Sequence, residues 1–169
     1  MDKYKDEKEE IKILFICLGN ICRSPAANAI MQHLVENEHV AHRFYIDSAG
    51  MGNWHVGDLP DRRMREHGAK RNYKIDHIAR QFNRNIDFEN FDYIVVMDEE
   101  NYADVCSQAK SVEERGKVLK MCNFFQQYKG QTAVPDPYYG DAKAFDFALD
   151  LIEDGCKGLY NSLKKKHNL

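Results

Sequence analysis

A cysteine ends the apolar run IKILFIC (11–17), and an arginine follows six residues later in CLGNICRSP (17–25). A Cys and an Arg at this spacing can arise by chance, so the context has to carry the reading. Between them stand Gly19 and Asn20, the residue types that accept left-handed backbone angles. After them come Ser24, a good helix N-cap, and Pro25, which suits a first helical position. The stretch thus reads as a strand that delivers a thiol to a tight loop whose exit is a helix N-terminus. Unpaired N–H groups and the positive dipole end make such a loop an anion site, and they favour the thiolate, which is the nucleophilic form. The planar fork of Arg23 matches phosphate oxygens two at a time. Cys17 and Arg23 together point to nucleophilic attack on the phosphorus of a bound phosphoryl group.

A thiolate that displaces an alcohol from a phosphate monoester needs a proton for the leaving oxygen. Asp136, between Pro135 and Pro137, is the best-placed carboxyl, because flanking prolines restrict its backbone. Tyr138 and Tyr139 follow at once and could line a slot for a flat substrate; the same stretch also reads as a rigid turn with its tyrosines on the core.

These groups need a scaffold. IKILFIC suits a buried parallel strand. Ala27, Ile30, Met31, Leu34 and Val35 then trace one face of a helix. RFYIDSA (43–49) is the second strand, closed by Gly50, and the ligand of a strand–helix–strand unit belongs beyond the strands' carboxyl ends. A helix is expected over 60–67, ended by Gly68, and 79–86 reads as a turn or short helix. YIVVM (93–97) is the third strand, with a helix starting at Asp98, and KVLKMC (117–122) is the fourth. Residues 123–139 form a long loop, and Phe145, Leu149, Ile152, Cys156, Leu159 and Leu163 mark a last helix. The alternation implies an α/β fold with a four-stranded parallel sheet.

The start, MDKYKDEKEE, reads as a charged leader over 1–10, and a length of 169 residues suggests one domain over 11–169. Apolar residues make up 43% and charged residues 30%, as in ordinary globular proteins. A net charge of -3 gives no hint of nucleic-acid binding, and no apolar run approaches a membrane span. The five scattered cysteines do not look like a secreted disulfide framework, so a cytoplasmic, reducing setting is inferred. The seven histidines form no recognisable ligand set, and neither metal nor other cofactor is expected.

The motifs resemble those of the low molecular weight protein tyrosine phosphatases. CLGNICRSP is similar to that family's signature loop and DPYYG (136–140) to its acid loop. DSAG (47–50), the loop at Trp54, HIARQF (77–82) and FDYIVVMDEEN (91–101) match as well. The resemblance runs from Ile11 to the last helix, and it implies a doubly wound three-layer fold and hydrolysis of phosphotyrosine proteins or peptides, with phosphate as inhibiting product. It implies Cys17 as nucleophile, Arg23 as phosphate clamp and Asp136 as general acid. Asn20 would hold the loop, with Ser48 and His77 behind it, and Ser24 would hydrogen-bond the thiolate. Leu18, Gly19, Ile21, Cys22, Trp54, Tyr138 and Tyr139 would surround the substrate. The chain departs from the family at Met51, at His55, in extra residues between Gly68 and His77, and in its leader.

Three rivals share parts of this pattern. Thiol-dependent arsenate reductases need resolving cysteines late in the reaction, and no such pair stands out after residue 22. Phosphoarginine phosphatases carry Thr where this chain has Ile21. A phosphopeptide-binding module would be expected to lose Cys17 or Asp136. One redox reading rests on both the residues and the resemblance: Cys22, taken as partly accessible, could capture an oxidised Cys17 as a disulfide.

Overall fold

The computed structural model describes residues 10–169. Of the leader expected over 1–10, all but Glu10 lies outside the described residues. Strand β1, Ile11–Cys17, sits inside a four-stranded sheet of order β2-β1-β3-β4, with β2 at Phe44–Gly50, β3 at Tyr93–Val96 and β4 at Val118–Lys120. Every pairing is parallel. Helices cover both faces, which gives three layers and explains why IKILFIC is a nearly unbroken apolar run. Successive side chains of β1 point to opposite faces. Ile11, Ile13, Phe15 and Cys17 enter the larger core, with helix α1 (Arg23–Asn37) and helix α6 (Ala142–His167). Leu14 and Ile16 enter the smaller one, with Phe88 of α3 (Arg84–Asn90) and Val105 of α4 (Glu99–Gln108). Two further helices, α2 (Arg62–Ala69) and α5 (Val112–Gly116), complete the set, and α2 lies against α6.

The four strands and the last helix fall where the pattern puts them, with shifted ends. The fourth strand is shorter than expected, because residues Met121–Phe124 turn into a 3-10 helix. Helix α2 starts later, at Arg62, because the Asp61 carboxylate accepts from the Arg63 N–H and caps it. It also runs past Gly68: a Cβ there would meet Ile75 Cδ1 at 2.4 Å, so the glycine serves packing, not termination. Residues 79–82 are extended, not helical, with Gln81 bridged to Gly50, and α3 begins only at Arg84. Helix α5 was not expected, although Ser111 with Glu114 three residues on is a capping signature, and the Ser111 hydroxyl does accept from the Glu114 N–H.

Candidate active site

Strand β1 ends at Cys17, and its neighbours open the sheet at the same end. Residues 18–22 curl from there into α1. Asn20 takes the left-handed conformation, φ 58°, whereas Gly19 does not, contrary to expectation. What holds Asn20 is its side chain. Its amide donates to Ser24 Oγ at 2.7 Å and to Ser48 Oγ at 3.0 Å, and its Oδ1 accepts from the Arg80 N–H at 3.0 Å. Gly50, at the end of β2, lets the loop lie close, since a Cβ there would come within 3.0 Å of Leu18, Gly19 and Asn20 backbone atoms.

Ser24 is not the N-cap. The helix starts two residues earlier than that cap implies, at Arg23; Cys22 occupies the cap position, and no side chain caps it. The Ser24 hydroxyl is drawn inward instead, 3.0 Å from Cys17 Sγ. Because Asn20 already donates to that oxygen, the single Ser24 proton has two acceptors in reach, Cys17 Sγ at 3.0 Å and the Ala49 carbonyl at 3.4 Å. Pro25 consequently sits third in the helix, within the first turn, where no N–H is missed.

Arg23 is buried, 2% exposed, and lies between two carboxylates. It donates to Asp98 at 2.6 Å and to the Val134 carbonyl at 2.9 Å, and it stands 3.6 Å from Asp136. Burial alone would lower its pKa, but the Cys17 charge and the Asp98 hydrogen bond outweigh this and raise it. Asp98 is marked by the sequence only as a helix start. It does both: one oxygen accepts from Arg23 while the other caps α4 at the Asn101 N–H, 2.8 Å away. Its place just past β3, at the ligand-binding end of a parallel sheet, was the available signal.

Asp136 has one oxygen fixed by the Tyr138 N–H at 3.1 Å and the other turned to Arg23. Cys17, Arg23 and Asp136 face one cavity of about 350 Å³, lined also by Leu18, Gly19, Ile21, Cys22, Trp54, His55, Tyr138 and Tyr139. Trp54 and Tyr139 form an open mouth, 67% and 95% exposed, while the His55 and Tyr138 rings face each other at 6.4 Å.

One expectation needs correction. Cys22 is buried, 4% exposed, and not partly accessible. Burial pushes its thiol up, and the nearby Asp61 carboxylate adds to the shift. His77 lies by the backbone of Ser48, the residue whose hydroxyl accepts from Asn20. Its Nδ1 is 3.6 Å from Asp47, and its Nε2 is buried with no hydrogen-bond partner among the described residues. Burial lowers its pKa although Asp47 opposes the shift. Arg80 also supports the loop: its N–H donates to Asn20 and its guanidinium bridges Asp47 and Asp87. Among the described residues no three His, Cys, Asp or Glu side chains converge as metal ligands, and no helix is long and apolar enough to cross a membrane.

The family model for low molecular weight phosphotyrosine protein phosphatase matches residues 12–169. The low molecular weight phosphotyrosine protein phosphatase of Gallus gallus is 38% identical over 94% of this chain and 98% of its own. A crystal structure of a protein tyrosine phosphatase from Entamoeba histolytica, with Hepes in its active site, superposes with TM-score 0.89 at 42% identity, covering 93% of this chain and 99% of that one. A Drosophila arginine phosphatase is also similar, with TM-score 0.83 and 30% identity over 91% of this chain and 98% of that one.

Proposed function

The chain belongs to the low molecular weight phosphotyrosine protein phosphatase family, and we propose that it hydrolyses phosphotyrosine monoesters through a phosphorylated cysteine. The observation that carries this reading is the convergence of Cys17, Arg23 and Asp136 on one cavity.

In the first step Cys17 Sγ attacks phosphorus, and the bond to the tyrosyl oxygen breaks. Asp136, protonated, gives its proton to that oxygen as it leaves. Charge on the equatorial oxygens meets Arg23 and the free N–H groups at the start of α1, which are fixed before the reaction begins. In the second step Asp136, now a carboxylate, takes a proton from water. The water oxygen attacks phosphorus, the S–P bond breaks, and phosphate leaves. The Ser24 hydroxyl, 3.0 Å from Sγ, donates to the departing thiolate. Free phosphate fits the same cradle and inhibits as product.

The substrate's aryl ring enters past the mouth formed by Trp54 and Tyr139 and lies against Tyr138. A serine side chain is too short to span from that mouth to Sγ. Ile21, at the cavity wall, favours the aryl group over the guanidinium group of phosphoarginine. The test is hydrolysis of phosphotyrosine, phosphoserine and phosphoarginine peptides side by side in EDTA. This reading expects a clear preference for the first; comparable kcat/KM for either of the others contradicts it.

The reaction belongs in a reducing, cytoplasmic setting, consistent with five unpaired cysteines. Peroxide would oxidise the Cys17 thiolate to a sulfenic acid and be reduced to water. The Cys22 thiol, on the same cavity, would then attack that sulfur and release water, forming a disulfide that a reductant reopens.

A further inference from the structure

The loop that carries Asp136 has little regular structure of its own. At its start Val134 is tied to the sheet by its N–H, which reaches the Met97 carbonyl at 2.8 Å, and by its carbonyl, which Arg23 holds. At its end Asp141 caps α6. Between these points, among the described residues, one side chain from elsewhere donates to the backbone of residues 135–140. That side chain is Arg63, whose guanidinium reaches the Tyr138 carbonyl at 2.9 Å.

Arg63 is itself fixed. Two of its nitrogens meet the Asp61 carboxylate at 3.1 and 3.0 Å, a forked pairing that sets the plane of the group. The same plane lies over the Phe145 ring at 4.6 Å and near the Tyr138 ring at 5.5 Å. Burial would raise the Asp61 pKa, but its hydrogen bonds from Arg63 outweigh this and lower it, so it stays a carboxylate. Asp61 is tied in turn to the phosphate cradle, because its N–H donates to the Ile21 carbonyl at 2.8 Å. An unbroken chain of contacts therefore runs from the cradle at Ile21, through Asp61 and Arg63, to Tyr138. Tyr138 is the residue whose own N–H orients the Asp136 carboxylate.

We propose that Arg63 is a positioning residue for proton donation: it registers the acid loop against the phosphate cradle by holding Tyr138, and through Tyr138 it aims Asp136. The proposal rests on the assignment of Asp136 as general acid. Arg63 touches neither substrate nor Cys17 in this scheme, so its loss leaves phosphate binding intact and spares esters whose leaving group needs no proton.

The experiment measures kcat/KM for a series of aryl phosphates, from nitrophenyl esters to phenyl esters with leaving-group pKa ~10, because kcat/KM reports the step in which the aryl oxygen leaves. General acid catalysis is worth ~10²–10⁴-fold, and misplacement forfeits part of it. Arg63→Met is expected to lose about tenfold or more on phenyl phosphate but less than about threefold on the nitrophenyl ester, with phosphate inhibition unchanged. Arg63→Lys keeps a donor for Tyr138 but not the fork, and is expected between wild type and Arg63→Met; should the methionine variant fail to fold, the split is read on the lysine variant. Combined with Asp136→Ala, the Arg63 change should add nothing, since both act on one proton. Equal losses on all esters, or a full further loss in the double variant, overturn the proposal. If Asp136→Ala itself loses equally on all esters, the acid assignment falls. If Asp136→Ala steepens the leaving-group dependence and Arg63→Met does not, only the Arg63 proposal falls.

Discussion

Removing the charge of Asp98 tests how a buried arginine is kept in place before any anion arrives. Arg23 is 2% exposed and Asp98, 2.6 Å away, is the shortest of its contacts. Taking one partner from a buried ion pair costs about 3–5 kcal/mol, because the other charge stays desolvated. Here the figure is reduced, since the Asp98 side chain is 26% exposed and Arg23 keeps the Val134 carbonyl and Asp136. About 2–3 kcal/mol remains for Asp98→Asn, which preserves the capping group for α4. Asp98→Ala loses the cap as well, worth about 1 kcal/mol more. For a chain of this length each kcal/mol moves Tm by about 2–4 °C, so Asp98→Asn should melt roughly 5–10 °C below wild type. Phosphate offers Arg23 a replacement anion, so added phosphate should raise Tm more in Asp98→Asn than in wild type. The assay is a thermal melt of each protein with and without phosphate. A shift under about 2 °C, or an equal phosphate effect in both proteins, refutes the view that Asp98 holds Arg23 in the fold.

Cys17→Ser should abolish turnover yet retain phosphate, because Arg23 and the α1 N-terminus remain, whereas Arg23→Ala should lose both; inhibition and calorimetric titration with phosphate separate the two. Burial holds the folded-state pKa of His77 below that of the unfolded chain, near 6.5, so its contribution is complete above that value and is lost as pH falls through the folded pKa. Urea midpoints between neutral and mildly acid pH should therefore fall less steeply in His77→Gln than in wild type, and parallel curves would remove His77 from the account. After peroxide and then dithiothreitol, wild type should recover activity and Cys22→Ser should not; full recovery by the variant, or a peptide map joining Cys17 to another cysteine, excludes the Cys17–Cys22 pair.

Much of the architecture was legible because it rests on local pattern. The unbroken apolar run of β1 signalled a strand covered on both faces, and the three- and four-residue steps of α6 signalled a helix face. The cradle and acid loops were legible because their residue types are chemically restrictive. What was not legible depends on contacts between distant segments. Gly68 marks a helix end by its type, yet Ile75 packs on it inside the helix. Ser24 is an N-cap by type, yet Asn20 and Cys17 claim its hydroxyl. Cys22 lies beside a charged residue in sequence, but the fold buries it. Asp98, Arg63 and Arg80 matter through partners 75, 75 and 60 positions away, a distance at which spacing along the chain gives no signal.

The central claim is that phosphate passes through Cys17. Asp136→Ala is expected to slow the second step as well as the first, because in the proposed mechanism the same carboxyl takes a proton from water. Mixed with a nitrophenyl phosphate and quenched in the first turnovers, that variant should carry one phosphoryl group, and mass mapping should place it on Cys17. The Cys17→Ser protein treated alike should carry none and release no nitrophenolate. Phosphate on another residue, or nitrophenolate released at a wild-type rate by Cys17→Ser, would contradict the account.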